Sequence, residues 1–106
     1  MTEKSEIEEE GDDFFGIEKF IHEPSRLQIL ATLASVNKAD MIFLRKHLQL
    51  TWGNISFHAS KLEEKAYISI EKTILDKKTY TVLQITELGL NKLRIYKKAI
   101  ISFLDF

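Results

Sequence analysis

The sequence predicts a mostly helical α+β fold, with one β-hairpin set among amphipathic helices. Three observations predict it. Ile55, Ala59 and Leu62 recur at i, i+4 and i+7, the spacing of a narrow apolar stripe on one helix. Residues 67–74 and 80–85 are β-branched and aromatic with partial alternation, and the polar run Leu75-Asp76-Lys77-Lys78-Thr79 between them reads as a turn. From Leu88 onward, apolar residues return at helical spacing as far as Phe106.

The elements follow in order. Residues 1–11 read as an acidic disordered tail, without periodicity and with only Ile7 to bury. Asp12 and Asp13 offer caps for a short helix carrying Phe14, Phe15, Ile17, Phe20 and Ile21. Those are too many apolar groups for a short free helix, so they pack on the domain's own core or on a partner subunit. Pro24 suits the first turn of the next helix, where its fixed φ and missing amide cost nothing. Leu27, Leu30, Ala31 and Ala34 fall on one side of it, Ile29 and Leu33 widen the stripe, and Asn37 and Lys38 end it. Asp40 caps a helix over 41–48, in which Ile42, Phe43, Leu44 and Leu48 supply core and Arg45, Lys46 and His47 lie near the end. Gln49-Leu50 is a tight connection to the helix capped by Thr51. Three helices with a short turn between the second and third make a helix-turn-helix.

The helix after Thr51 has an unusual outward face: Trp52, Asn54, Ser56, Phe57, His58, Ser60 and Lys61. A plain solvated face carries Glu/Lys pairs, as Glu63, Glu64 and Lys65 do further on. Amides, hydroxyls and aromatics suit base edges in a major groove, where they pair with bases or touch thymine methyls. In the hairpin, Ile68 and Ile70 face inward with Leu83 and Ile85 opposite. Thr86 caps a final helix over 86–106 with Leu88, Leu93, Tyr96, Ile100, Phe103 and Leu104 on one side and Leu90, Ile95, Ile101 and Phe106 around it. That stripe is wider than docking by one face requires. The excess, with Phe14, Phe15 and Phe20, reads as a homodimer interface, against the plainer alternative of a helix buried in its own monomer.

A helix followed by a hairpin with a basic tip reads as a recognition helix and wing. With the segments Pro24-Ser25-Arg26-Leu27-Gln28-Ile29-Leu30, Leu50-Thr51-Trp52-Gly53-Asn54-Ile55-Ser56, Lys61-Leu62-Glu63-Glu64, Glu71-Lys72 and Ile85-Thr86-Glu87-Leu88-Gly89 in that order, the chain resembles the small winged-helix transcriptional regulators of the MarR/ArsR-like group. In particular, it is similar to the compact one-domain type. The resemblance covers residues 21–99. It implies a winged helix-turn-helix domain over 12–106, with a two-stranded wing and a long C-terminal dimerisation helix. The chain departs from the group's pattern at Lys65-Ala66, where a glycine is frequent before the wing. It departs also at Ala59, where a larger apolar residue is common, and at Leu90, where an arginine often follows the glycine.

Composition bounds the function. A chain of 106 residues with 44% apolar content is one domain's worth, small for a core plus a separate effector domain. Without cysteine there are no disulfides or thiolate metal sites. The acidic start lacks the apolar core of a secretory signal, and the longest uncharged, mostly apolar run, 27–37, is too short to span a bilayer. A cytoplasmic protein off the membrane is expected. The net charge of −1 hides segregation: residues 1–13 carry −6 and residues 14–106 carry +5. A basic body suits DNA, and the tail either merely solvates or repels DNA and covers the basic face.

Glu18 and His22 at i, i+4 make an incomplete metal pair, better read as an ordinary surface pair, and no cofactor is expected. No nucleophile motif, glycine-rich phosphate loop or acid–base cluster is present, so catalysis is not expected. The leading expectation is a sequence-specific regulator binding double-stranded DNA as a homodimer. Arg45, Lys46, Lys72, Lys77 and Lys78 position it on phosphates, and Asn54, Phe57, His58 and Lys61 read bases, helped by Thr51 and Ser56. Trp52 fits equally a core anchor or the DNA surface. The rival reading is a winged helix used for protein–protein assembly, kept open by the modest charge and by Phe57. A small-molecule effector fits a dimer interface where aromatics gather, though no residue pattern names it.

Overall fold

The computed structural model describes residues 12–106; the tail expected over 1–11 lies outside them. The chain runs α1 (Pro24–Val36), β1 (Lys38–Asp40), α2 (Met41–Leu48), α3 (Trp52–Glu64), β2 (Ile68–Leu75), β3 (Lys78–Ile85) and α4 (Glu87–Phe103). Among the described residues, four helices and a three-stranded antiparallel sheet in the order β1-β3-β2 make a winged-helix α+β fold.

Local chemistry sets most of the boundaries. Asp40, Thr51 and Thr86 each accept a hydrogen bond from the amide three residues on, at Phe43, Asn54 and Gly89. Glu23 caps α1 in the same way through Arg26, and Pro24 takes the first helical position. Helix α3 ends with Ala66 at φ 64, its amide reaching Glu63 O at 2.8 Å while that of Tyr67 reaches Leu62 O at 3.0 Å. That paired closure usually employs glycine at the left-handed residue.

Several elements depart from expectation. Residues 14–21 form no helix. Phe15 and Gly16 take positive φ (51° and 79°), and Phe14 and Ile17 exchange backbone hydrogen bonds across this two-residue turn. One helical turn is a costly nucleus, and tertiary anchors for Phe14, Ile17, Phe20 and Ile21 outweigh it. Lys38–Asp40 is a strand, pairing Ala39 with Leu83, so the sheet has a third strand beyond the wing. The wing turn is also tighter than expected. Asp76 and Lys77 alone make it, both at positive φ, and Lys78 already pairs with Leu75.

One core unites the layers: Ile17, Phe20 and Ile21 from the N-terminal strap, Ile29, Leu30 and Leu33 from α1, and Leu44 from α2. Ile55, Ala59 and Leu62 from α3 join them, with Tyr67, Ile68, Leu83, Ile85 and Tyr96. The stripe of α1 is therefore Ile29, Leu30 and Leu33, and Ala31 and Ala34 face solvent. On α2 only Leu44 is buried, with Leu48 half-buried, while Ile42 and Phe43 stay exposed. An eight-residue helix lying on one face has room for little more.

Candidate nucleic-acid interface

Helix α3 is held by its buried stripe and presents its first turns outward. Trp52, Asn54, Ser56, Phe57 and Ser60 are all exposed, with Phe57 at 54%. Thr51 is occupied as the cap. Lys61 folds back over the Phe57 ring, 5.6 Å from its centroid, with Glu64 3.9 Å away along the helix. No acid interrupts this face before Glu63 and Glu64.

The neighbouring helix contributes cations. The Arg45 guanidinium lies 4.7 Å over the Trp52 ring, a cation–π contact that joins the end of α2 to the start of α3. Its Nε is buried and has no hydrogen-bond partner among the described residues. Trp52 is thus half-exposed and packed on Arg45, outside the buried core. Lys46 is exposed, and His47 stacks on Phe43 at 5.2 Å. On the wing, Lys72, Lys77 and Lys78 are exposed.

His58 is placed differently from its helix neighbours. Its side chain, 13% accessible, turns inward. Arg26 Nη1 sits 3.1 Å from its Nδ1, which accepts because a guanidinium only donates, and Glu23 lies 3.7 Å from its Nε2. Arg26 itself is buried, donates from Nε to Phe20 O at 2.7 Å, and covers the Phe20 ring at 4.3 Å. No expectation from the sequence fell on Arg26. The available signal is its position three residues before Ile29, inside the apolar stripe of α1.

The strap over 13–22 is pinned to the body by polar clasps. Tyr67 donates to Glu18 at 2.6 Å, and His22 Nδ1 meets the Tyr96 hydroxyl at 2.8 Å. Glu18 and His22 therefore face separate partners, and among the described residues no group of three or more His, Asp or Glu comes together to hold a metal. Burial raises the Tyr67 hydroxyl pKa well above its ordinary value, with the Glu18 carboxylate adding to the effect. Burial also raises that of Tyr96. Beside this clasp, His22, Glu23, Pro24, Leu27, Gln28 and Tyr96 line an open cavity of about 410 Å³.

The residues expected at a dimer interface divide. Phe20 and Tyr96 are buried in the monomer's own core, and Phe14, Leu93 and Ile100 are half-buried against it. Phe103, Leu104 and Phe15 are exposed, Phe15 at 77%, with the Phe15 and Phe103 rings 5.0 Å apart. Ile95 and Ile101 are exposed as well.

The family model for winged helix DNA-binding domains matches residues 25–104. The chain belongs to that family. It is 31% identical over 71 residues to an uncharacterized protein of Methanocaldococcus jannaschii, covering 67% of this chain and 77% of that one. Among solved structures it is similar to the transcriptional regulator homologue from Pyrococcus horikoshii, with TM-score 0.75 and 30% identity over 82% of this chain and 89% of that chain. It also shares its fold with AbfR, solved bound to DNA, with TM-score 0.71 and 22% identity over 82% of this chain. This winged helix DNA-binding domain spans 66% of the AbfR chain. Among the described residues, no helix is long and apolar enough to cross a membrane.

Proposed function

We propose that this winged helix domain is a sequence-specific transcriptional regulator that binds double-stranded DNA as a homodimer inside the cell. The observation that carries the reading is the outward face of α3. Asn54, Ser56, Phe57 and Ser60 stand exposed and free of acids, beside Arg45, Lys46 and Lys61. A helix of this width fits a major groove, and an Asn amide pairs with an adenine edge in two places. In this reading, Arg45 and Lys46 hold phosphates beside the groove, and Lys72, Lys77 and Lys78 hold backbone or minor groove at the flank. His58 acts by fixing α3 against Arg26, and Asn54, Phe57 and Lys61 do the base reading.

Two copies joined through the exposed Phe15, Ile101, Phe103 and Leu104 would set two recognition helices into successive major grooves, about one helical turn apart. The open cavity beside His22 and Tyr96 is the place in this reading for a small-molecule effector. The exposed Phe57 and Trp52 favour one rival, a protein–protein assembly module without sequence-specific DNA binding. Titration of random and selected duplexes at several salt concentrations separates the two. A regulator binds both with a salt-dependent affinity and prefers the selected sequence, whereas an assembly module shows almost no binding to either.

A further inference from the structure

The outer half of the wing carries an apolar side chain that nothing among the described residues covers. Paired residues of the hairpin point to one side, and successive residues of a strand to opposite sides. One face therefore holds Ile68, Ile70, Lys72 and Ile74, with Ile85, Leu83, Thr81 and Thr79 across from them. The inner half of that face is core: Ile68, Leu83 and Ile85 are buried and Ile70 half-buried. Its outer half is open, and Ile74 is 74% exposed. The acid of the strand, Glu71, falls on the other face with Ser69, Thr73 and Leu75. Ile74 thus follows Lys72 along its own row, next to a turn that brings Lys77 beside Asp76, while Lys78, paired with Leu75, falls on the other face.

We infer that Ile74 is a specificity-determining residue, packing into the minor groove of duplex DNA and favouring A·T over G·C pairs beneath the wing. The inference rests on the DNA-binding reading above. An apolar side chain flanked by Lys72 on its own face and Lys77 at the turn suits a groove whose walls are sugars and phosphates, because the cations match the walls and the aliphatic chain meets the interior. The floor of that groove distinguishes base pairs mainly by the guanine 2-amino group, which projects from it. Ile74 offers no acceptor, so it would strip water from that donor and leave it unpaired. A·T pairs present no such group.

The test uses the full chain and a duplex selected from a random pool. A·T pairs flanking the major-groove element are replaced by G·C, and in a third duplex by inosine·C, which lacks the 2-amino group. The intact protein should bind the G·C duplex about tenfold more weakly and recover on the inosine duplex. Ile74→Ser should bind all three alike, with an unchanged salt slope because no cation is removed. Leu75→Ser, on the opposite face, should keep the discrimination. Equal binding of the three duplexes by the intact protein overturns the inference, as does discrimination that survives in Ile74→Ser. An intact protein with no salt-dependent binding to any duplex is a separate outcome, which removes the DNA-binding reading and this inference with it.

Discussion

Helix α4 crosses the Tyr67 backbone at Gly89 so closely that a Cβ there would overlap the Tyr67 carbonyl oxygen and sit 2.9 Å from its carbonyl carbon. Gly53, in the first turn of α3, has nothing within 4 Å of the same position. The two glycines should therefore respond to alanine with opposite signs. Gly89→Ala should lower stability by about 3 kcal/mol, because backbone has to give way. Gly53→Ala should raise it by roughly 0.5–1 kcal/mol through helix propensity. Urea denaturation of both variants checks this, and a harmless Gly89→Ala would contradict the packing described.

Ala66 closes α3 in the left-handed conformation that costs any residue with a Cβ. Ala66→Gly should stabilise the protein by about 1 kcal/mol while leaving the packing around it unchanged. Thr86 holds this corner, donating to Ala66 O at 2.7 Å while capping α4. A fall in the urea midpoint of Ala66→Gly would show that the turn relaxes elsewhere.

Tyr67 has a pH signature. Its folded pKa lies above the ordinary value of 10.0, so the neutral hydroxyl is the form that folding favours. The associated stability is fully present below pH 10 and is lost as the pH rises towards the folded value. Stability should stay level from neutral pH to about 9 and fall above about 10. Tyr67→Phe should remove part of that fall and cost about 1 kcal/mol at neutral pH, where the bond to Glu18 is broken. Denaturation curves across this range, with tyrosinate absorbance alongside, make the measurement.

The helix and wing should fail in different ways. Replacing Lys77 and Lys78 with Ala should weaken binding to all duplexes about equally, flattening the salt slope by roughly 0.9 for each phosphate no longer neutralised. Asn54→Ala should cost roughly 1–3 kcal/mol at the selected site and almost nothing on scrambled DNA. If Asn54→Ala loses equally on both duplexes, or loses nothing, α3 is not reading bases and the assembly reading moves ahead.

The dimer is best tested by point changes. Tyr96 is part of the core, so truncation from that residue would damage the monomer as well as any interface. Ile101→Lys with Leu104→Lys alters only exposed positions. The intact protein should sediment as a dimer at micromolar concentration and the double variant as a folded monomer. A monomeric intact protein would refute the interface.

What was legible in the sequence is mostly short-range. Asp40, Thr51 and Thr86 announce their helices because a cap and its amide lie three residues apart. Ile68, Ile70, Leu83 and Ile85 announce the inward face of the hairpin through alternation. The amide-and-aromatic face of α3 is likewise readable from composition alone, down to the exposure of Asn54 and Phe57. The strap over 13–22 was not legible as a turn, since Glu18 and His22 find Tyr67 and Tyr96 far along the chain. The inward turn of His58 was hidden for the same reason, because it depends on Arg26 across the core. Strand β1 is three residues long, too short for alternation to register, and its partner β3 lies far along the chain, as the second strand of the wing. A turn within 75–79 is readable from its polar residues, but its tightness at Asp76-Lys77 is not, because neither residue is the glycine that positive φ favours.

The pairing of β1 with β3 has an evolutionary consequence. Residues 41–81, which include α2, α3, β2, the wing turn and the outer half of β3, form a single loop of chain whose ends are fastened side by side where Lys38–Asp40 meet Val82–Gln84. The entropy of closing such a loop grows only with the logarithm of its length, each doubling adding about 0.6 kcal/mol. Residues inserted at the wing tip would therefore cost little at the point of closure. The reach of the wing is free to vary among descendants of this chain while the register that seats α3 stays as it is.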